Sequence, residues 1–469
     1  MNHDKQNECI LTGSLWFGLA LGIGGLLLDP HGAVPGLIKI MTHQDLLITD
    51  YIELAGLGAA LLNVSLMLLA TVGLLILSGD KCHGFTLAEL GLMAGFAFFG
   101  KNLANSWPIV LGTWIFARVH REPFHRYIAV ALLTTSLAPL VSWMMFGSEF
   151  ASLPMGMAVG ILLGYVMPDL SAYTYKVLNG VSLYNAGFAC GLLATLAVSI
   201  LAALGDRPDT VLIWSSRYSV QIGAALAIGS AALILSAFLT GEPARSVWDG
   251  WLRILCCSGR SPCDWLRDFG LGAVLFNTGV NGILGIAYIL IIGGQFSGPV
   301  VGGILTLMGF AGGGKHVRNC LPVMTGVAVG CLLMRTSPAV ESLQIAGLFG
   351  TTLAPVSGSF GIFAGVLAGA LHSAVVRQTG GPVAGMNLYN NGFSGGLVAM
   401  VLYPLLTAIN HRRPSLRLQN IDYIDTLEGE IPSDDDEGLP DDREPVPAKA
   451  SAVEAPSAEP ASSPGDSQN

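Results

Sequence analysis

Long apolar runs broken by short polar stretches set the pattern of this chain. Leu11 to Leu28, Val220 to Leu239 and Leu271 to Gly293 hold no charged residue, and each is long enough to cross a hydrocarbon core of about 30 Å as a helix. The whole pattern predicts fourteen membrane segments, near 11–28, 56–78, 85–100, 105–119, 127–146, 153–167, 181–204, 218–240, 270–293, 297–313, 318–334, 343–357, 359–377 and 385–409. Several of these are shorter than the usual span of about 17 to 25 residues, which predicts half-helices or re-entrant segments. The expected fold class is an all-α integral membrane protein, a polytopic helical bundle.

The same pattern occurs twice. Gly56-Leu57-Gly58-Ala59 through Asn63 returns as Gly270-Leu271-Gly272-Ala273 through Asn277, and at the same offset Gly95-Phe96-Ala97, Gly100-Lys101, Asn105 and Pro108 return as Gly309-Phe310-Ala311, Gly314-Lys315, Asn319 and Pro322. Leu137-Ala138-Pro139 recurs as Leu353-Ala354-Pro355, and Leu183-Tyr184-Asn185 with Gly187-Phe188 recurs as Leu388-Tyr389-Asn390 with Gly392-Phe393. So long a period excludes a solenoid and predicts a duplicated domain. Loop charge gives the relative orientation. Arg118, Arg121 and Arg126 follow the fourth segment of the model, Arg245, Arg253, Arg260 and Arg267 fall between the copies, and Arg412, Arg413 and Arg417 follow the last segment. The loops corresponding to the first and last groups, at 335–341 and 206–209, hold one Arg each. Because Lys and Arg concentrate in cytoplasmic loops, this switch predicts inverted repeats. The expected domains are a leading transmembrane helix and loop at 1–50, membrane repeat A at 51–204, a connector helix and cytoplasmic segment at 205–266, inverted membrane repeat B at 267–410, and a disordered acidic tail at 411–469. Both termini are expected in the cytoplasm, and the inner (cytoplasmic) membrane is the expected location.

Composition agrees. Of the residues, 52% are hydrophobic and only 12% charged, about half the charge expected of a soluble domain. The formal charge of −9 resides in the tail: from Gln419 onward there are 14 acidic and two basic residues, leaving 21 basic and 18 acidic residues in the body. Such a tail has too little apolar content to offset ordering entropy. Most of the eight cysteines sit in apolar runs or apart from one another, and the Cys256-Cys257 and Cys263 group lacks a nearby histidine, so neither a disulfide framework nor a metal site is expected. The leader Met1 to Ile10 has mixed charge and no small-residue cleavage site follows, so the first run is read as a retained helix.

Two duplicated motifs carry the candidate chemistry. In Gly-Lys-x3-Asn-x2-Pro, Gly100 and Pro108, and Gly314 and Pro322, are expected to interrupt a helix and free backbone groups for a solute. Lys101 and Lys315 there would attract an anion, or else snorkel from short loops, with Asn105 and Asn319 beside them. In Leu-Tyr-Asn-x-Gly-Phe, Tyr184, Asn185, Tyr389 and Asn390 stand at helix starts, where free amides and neutral side chains suit a small polar solute or anion. The alternative role for the two Asn residues is capping, with Gly187 and Gly392 marking close packing or a break. Asn63 and Asn277 are expected to bond between helices. Glu89 and His372 are unduplicated ionisable residues in apolar segments, open to a proton-carrying role. No catalytic motif or phosphate loop occurs, so no enzyme activity, cofactor or nucleic-acid partner is expected.

On these paired Asn-Gly-Phe motifs and the glycine-rich apolar body, the chain resembles an uncharacterised bacterial family of multi-pass membrane proteins defined as a domain of unknown function. That resemblance implies no activity. It also looks, more weakly, like urea transporters, which are duplicated and inverted with a Tyr-Asn-Gly motif at a helix start. Here one extra residue precedes the glycine, and Val64 and Thr278 stand where Asn-Asn-Pro would require further Asn. The expected function is a transporter or channel for a small hydrophilic solute, a polar neutral molecule or an anion, passing between inverted halves. A membrane-embedded enzyme or a sensory scaffold is the alternative. The partners expected are the solute and the lipid bilayer, with monomer and homo-oligomer both open.

Overall fold

The computed structural model describes residues 3–79 and 81–411, and from residue 412 onward the acidic tail lies outside them. Apart from one isolated bridge between Thr49 and Ile213, the regular structure of the described residues is helical. The first half contains α1 (His3–Leu28), α2 (Ala33–Met41), α3 (Tyr51–Ala55), α4 (Leu57–Ser78), α5 (Gly84–Phe96), α6 (Leu103–Val119), α7 (Ile128–Thr134), α8 (Ala138–Ser142), α9 (Leu153–Leu178) and α10 (Asn185–Ala203). The second contains α11 (Ser219–Ser236), α12 (Ala244–Ile254), α13 (Trp265–Ile291), α14 (Gly298–Gly309), α15 (Val317–Leu333), α16 (Glu341–Phe349), α17 (Ala354–Phe360), α18 (Ile362–Val383) and α19 (Asn390–His411). Eight helical stretches among the described residues are long and apolar enough to cross a membrane, and three shorter apolar helices lie between them. The protein is therefore an all-α, multi-pass membrane protein.

Two expected segments are not continuous helices. The stretch at 127–146 breaks into short turns, α7, α8 and a π turn, and the stretch at 343–357 breaks into α16, a turn and α17. Pro139 and Pro355 explain the restart. Each stands in the first turn of its helix, where a missing N–H costs nothing, whereas a continuous helix would bring its ring against an earlier carbonyl. Pro108 and Pro322 differ from expectation in the opposite sense. Both lie within α6 and α15, and the chain breaks before them, at 97–102 and 310–316.

Matching helices of the two halves pack on each other. α5 meets α14 with Gly84 beside Gly312, Gly91 beside Leu305 and Gly95 beside Gly302; as one number rises the other falls, so these helices run antiparallel. α10 and α19 cross near their first turns, where Gly187 lies against Tyr389 and Gly392, Phe188 against Gly396, and Gly191 against Phe393. A Cβ on Gly187 would stand 2.9 Å from the Tyr389 Cβ, so only hydrogen fits at this crossing.

Polar contacts interlock the halves. Asp50 caps α3 through the Ile52 amide at 2.9 Å and also accepts from the amide of Gly298, the first residue of α14, at 3.1 Å. Its counterpart Asp264 caps α13 through Arg267 and accepts from Gly84, the first residue of α5, at 2.8 Å. Each half thus satisfies helix-terminal donors belonging to the other. The same exchange links loops, with the Leu47 amide donating to the Gly385 carbonyl and the Ser261 amide to that of Gly180.

Candidate functional site: cross-paired lysines and tyrosines

Between α5 and α6 the helix stops and six residues, 97–102, turn before it resumes. Gly100 occupies this turn at φ +99°, a conformation that a side chain resists. A buried break leaves carbonyls without helical partners, and Asn63 of α4 supplies them: its amide nitrogen donates to the Ala97 and Lys101 carbonyls, both at 2.8 Å. Asn277 does the same for Ala311 at 2.9 Å and Lys315 at 2.8 Å. Asn281 adds a second donor to the Lys315 carbonyl at 3.0 Å.

Asn105 and Asn319 lock the returning helices. Asn105 and Asn102 exchange reciprocal side-chain to backbone bonds at the start of α6, and the Asn105 amide also donates to the Gly100 carbonyl at 3.0 Å. Asn319 pairs likewise with His316 at the start of α15 and donates to the Gly314 carbonyl at 2.9 Å. Their amides are engaged in holding the turn.

The lysines project from these turns toward the opposite half. Lys101 is 0% exposed; its Nζ donates to the Tyr389 hydroxyl at 2.6 Å and lies 4.7 Å from that ring's centre and 5.4 Å from the Phe96 ring. Lys315, also 0% exposed, donates to the Tyr184 hydroxyl and, at 2.8 Å, to Thr351 Oγ1. It lies 4.4 Å from the Tyr184 ring and 5.0 Å from the Phe310 ring. No carboxylate of the described residues forms an ion pair with either lysine. The two buried lysine nitrogens therefore meet only hydroxyls, a thioether and aromatic faces.

Beside the two tyrosines is a small pocket of about 20 Å³, lined by both members of four matched pairs, Phe96 and Phe310, Leu183 and Leu388, Tyr184 and Tyr389, Gly187 and Gly392, and by neither lysine. The remaining predicted residues stand outside its lining. Asn185 turns back to the Ser171 carbonyl at 2.9 Å, and neither it nor Asn390 lines the pocket. Each starts its helix, but no side-chain cap forms at Tyr184, the residue before α10. Asn391 does line the pocket and meets His372 Nε2 at 3.1 Å. Phe96, Phe310, Thr351 and Asn391 were not anticipated. The two Phe residues could have been found, because both lie inside duplicated blocks.

Comparison with known proteins follows the same two-part division. The family model described as protein of unknown function (DUF1576) matches residues 29–203 and 244–408, together more than half of the chain. The chain belongs to the DUF1576 family. The matched stretches begin just before α2 and at the start of α12, and they end with α10 and within α19. No curated protein and no solved structure matches, so the likeness to urea transporters has no support here.

Proposed function

We propose that this DUF1576 protein carries a small anion across the membrane through the pocket between its halves. The observation behind this reading is the pair of fully buried lysines with no carboxylate ion-pair partner among the described residues, each reaching the tyrosine of the other half. Ionisable groups within membrane segments line solute paths as a rule, and basic side chains are the usual selectivity element of anion pathways. The narrow pocket corresponds to an occluded arrangement, with α10 and α19 closing on each other at Gly187 and Gly392.

The proposed topology has ten crossings and two re-entrant hairpins. α6 runs parallel to α9, with Pro108 near Gly160 and Gly112 near Gly164, so α5 enters from the side at which α6 leaves, and α14 and α15 mirror this from the opposite side. The antiparallel contact of α5 with α14 supports inverted repeats meeting about an axis in the membrane plane. With the arginine-rich loops in the cytoplasm, both termini lie inside, in the cytoplasmic membrane.

Two experiments test the reading. Single cysteines at 118–126, 241–269, 205–217 and 335–342 are labelled with an impermeant reagent; the first two sets should be protected from outside and the last two labelled. Labelling of 118–126 and 335–342 from one side would remove the inverted arrangement. Purified protein in liposomes is then screened with chloride, nitrate, formate and phosphate against urea and glycerol. An anion flux that Lys101→Gln and Lys315→Gln suppress supports the proposal; flux of a neutral solute unaffected by either substitution overturns it.

A further inference from the structure

The two halves differ at one chemically important position. Loop 42–50, before α3, corresponds to loop 256–264, before α13, and Asp45 corresponds at the same offset to Gly259. Both adopt left-handed backbone, with φ +47° at Asp45 and +74° at Gly259. Glycine takes that conformation freely, whereas an acidic residue there is strained. The first half therefore keeps a carboxyl group where the second needs only backbone.

Asp45 is 0% exposed. Its Oδ2 accepts from Asn102 Nδ2 at 2.9 Å, Asn105 Nδ2 at 3.1 Å and Ser142 Oγ at 3.0 Å. Its Oδ1 is buried with no hydrogen bond, and His43 Nδ1 lies 3.6 Å from it. That nitrogen is also within hydrogen-bond distance of the Asp45 amide, at 3.2 Å. His43, with a side chain 24% exposed, connects this corner to water. The other titratable group facing it is Tyr51 of α3, whose hydroxyl accepts from Asn102; α6 contributes Asn102 and Asn105, and α8 contributes Ser142.

We infer that Asp45 is a proton-binding site, with Oδ1 as the protonated atom and His43 as its route to water. The amides exclude the other occupant of a buried carboxylate, a monovalent cation. The reciprocal bonds between Asn102 and Asn105 use both of their oxygens, which fixes the nitrogens toward Asp45, and Ser142 Oγ is itself turned to donate to Oδ2, so the groups around that oxygen present hydrogens rather than cation ligands. Burial raises the Asp45 carboxyl above its ordinary range, with His43 and Ser142 lowering it in part. Asp45 also shares Asn105 with the Gly100 carbonyl, so its charge bears on the turn that presents Lys101. On the topology proposed above, His43 faces outward, which makes the site a one-sided sensor of external protons. The coupling role rests on the transport reading; the proton site does not.

Infrared titration of the purified full chain in lipid nanodiscs, from about pH 4 to about pH 9, reads the site without any solute. A protonated-carboxyl band should titrate above the ordinary carboxylate range and vanish in Asp45→Asn. His43→Ala keeps Asp45 and should raise the midpoint, so the test survives if Asp45→Asn fails to fold. A spectrum with no band assignable to Asp45, and a His43→Ala titration identical to the parent, would overturn the site. Thermal stabilisation by sodium over choline, lost in Asp45→Asn, would overturn it in favour of a cation site. An intact titration beside absent anion flux would retain the proton site and remove only its coupling role.

Discussion

Replacing Lys101 by Met distinguishes a buried cation kept for function from one kept for folding. The two side chains are similar in volume, but Met needs no hydration. Lys101 offsets its desolvation through one charge-assisted hydrogen bond to Tyr389, a contact at 3.6 Å with the Met93 sulfur, and the Tyr389 and Phe96 ring faces. Such a hydrogen bond contributes about 1.5–3 kcal/mol, and a desolvated cation–π contact about 2 kcal/mol. The effective cost of burying an ion is several kcal/mol, so the sum lies near zero. Lys101→Met alone leaves the Tyr389 hydroxyl without its donor, a penalty of about 1–3 kcal/mol. Lys101→Met with Tyr389→Phe removes both partners and should be neutral or stabilising by about 1–4 kcal/mol. Tyr389→Phe alone, which strips the lysine of its hydroxyl, should be the least stable of the three.

The cycle is read by thermal unfolding in nanodiscs, beside anion flux in liposomes. Flux should fall in all three variants, while stability returns in the double variant. For Lys315→Met with Tyr184→Phe the gain should be about 1 kcal/mol smaller, since Thr351 is a second partner of Lys315. A double variant destabilised by more than about 3 kcal/mol, the cost of breaking a real buried ion pair, would mean that Lys101 has an anionic partner and that these lysines hold the fold together.

The interlocking carboxylates give a second prediction: Asp264→Ala should cost about 1–2 kcal/mol in thermal unfolding, and Asp50→Ala more, because Asp50 also holds the Ser215 amide. Gly187→Val should force α10 and α19 apart at a cost of about 1–3 kcal/mol, lowering flux along with melting temperature. A pH series gives a fourth. The raised Asp45 carboxyl keeps its proton in the folded protein while the unfolded chain loses it above 3.8, so stability should fall as pH rises from there to the folded value and then level off. Asp45→Asn should flatten that portion of the thermal-stability profile.

Much of the helical outline was legible because a membrane helix must carry its own hydrogen bonds and an apolar surface, so composition over about 20 residues suffices. Boundaries failed where backbone chemistry overrode hydropathy. Residues 127–146 are apolar enough for one helix, yet Pro139 restarts it, and at 97–102 the break depends on Gly100 and on a remote amide, Asn63. Asp50 and Asp264 recur at the offset that revealed the repeat. They escaped notice because neighbouring residues are not duplicated, and a capping carboxylate in a polar loop looks like any other.

The candidate site shows where duplication informs and where it misleads. A residue kept in both copies is either needed twice or sits where the copies touch, and sequence does not separate these cases. Lys101 and Lys315 are brought to Tyr389 and Tyr184, which line the pocket, because their turns point across the contact between the halves. Asn185 and Asn390 immediately follow those tyrosines. Tyr184 precedes α10 in a non-helical conformation, φ −98° and ψ 49°, and the chain turning into the helix directs the Asn185 side chain to Ser171 instead of the pocket. In the first copy, then, Tyr184 faces the other half while its neighbour Asn185 faces its own. Asn185→Ala should accordingly lower stability by about 0.5–1.5 kcal/mol and leave flux largely intact, whereas Tyr184→Phe should impair flux. Equal loss of flux in both variants at unchanged melting temperature would return Asn185 to the solute path and require the pocket to open through α9.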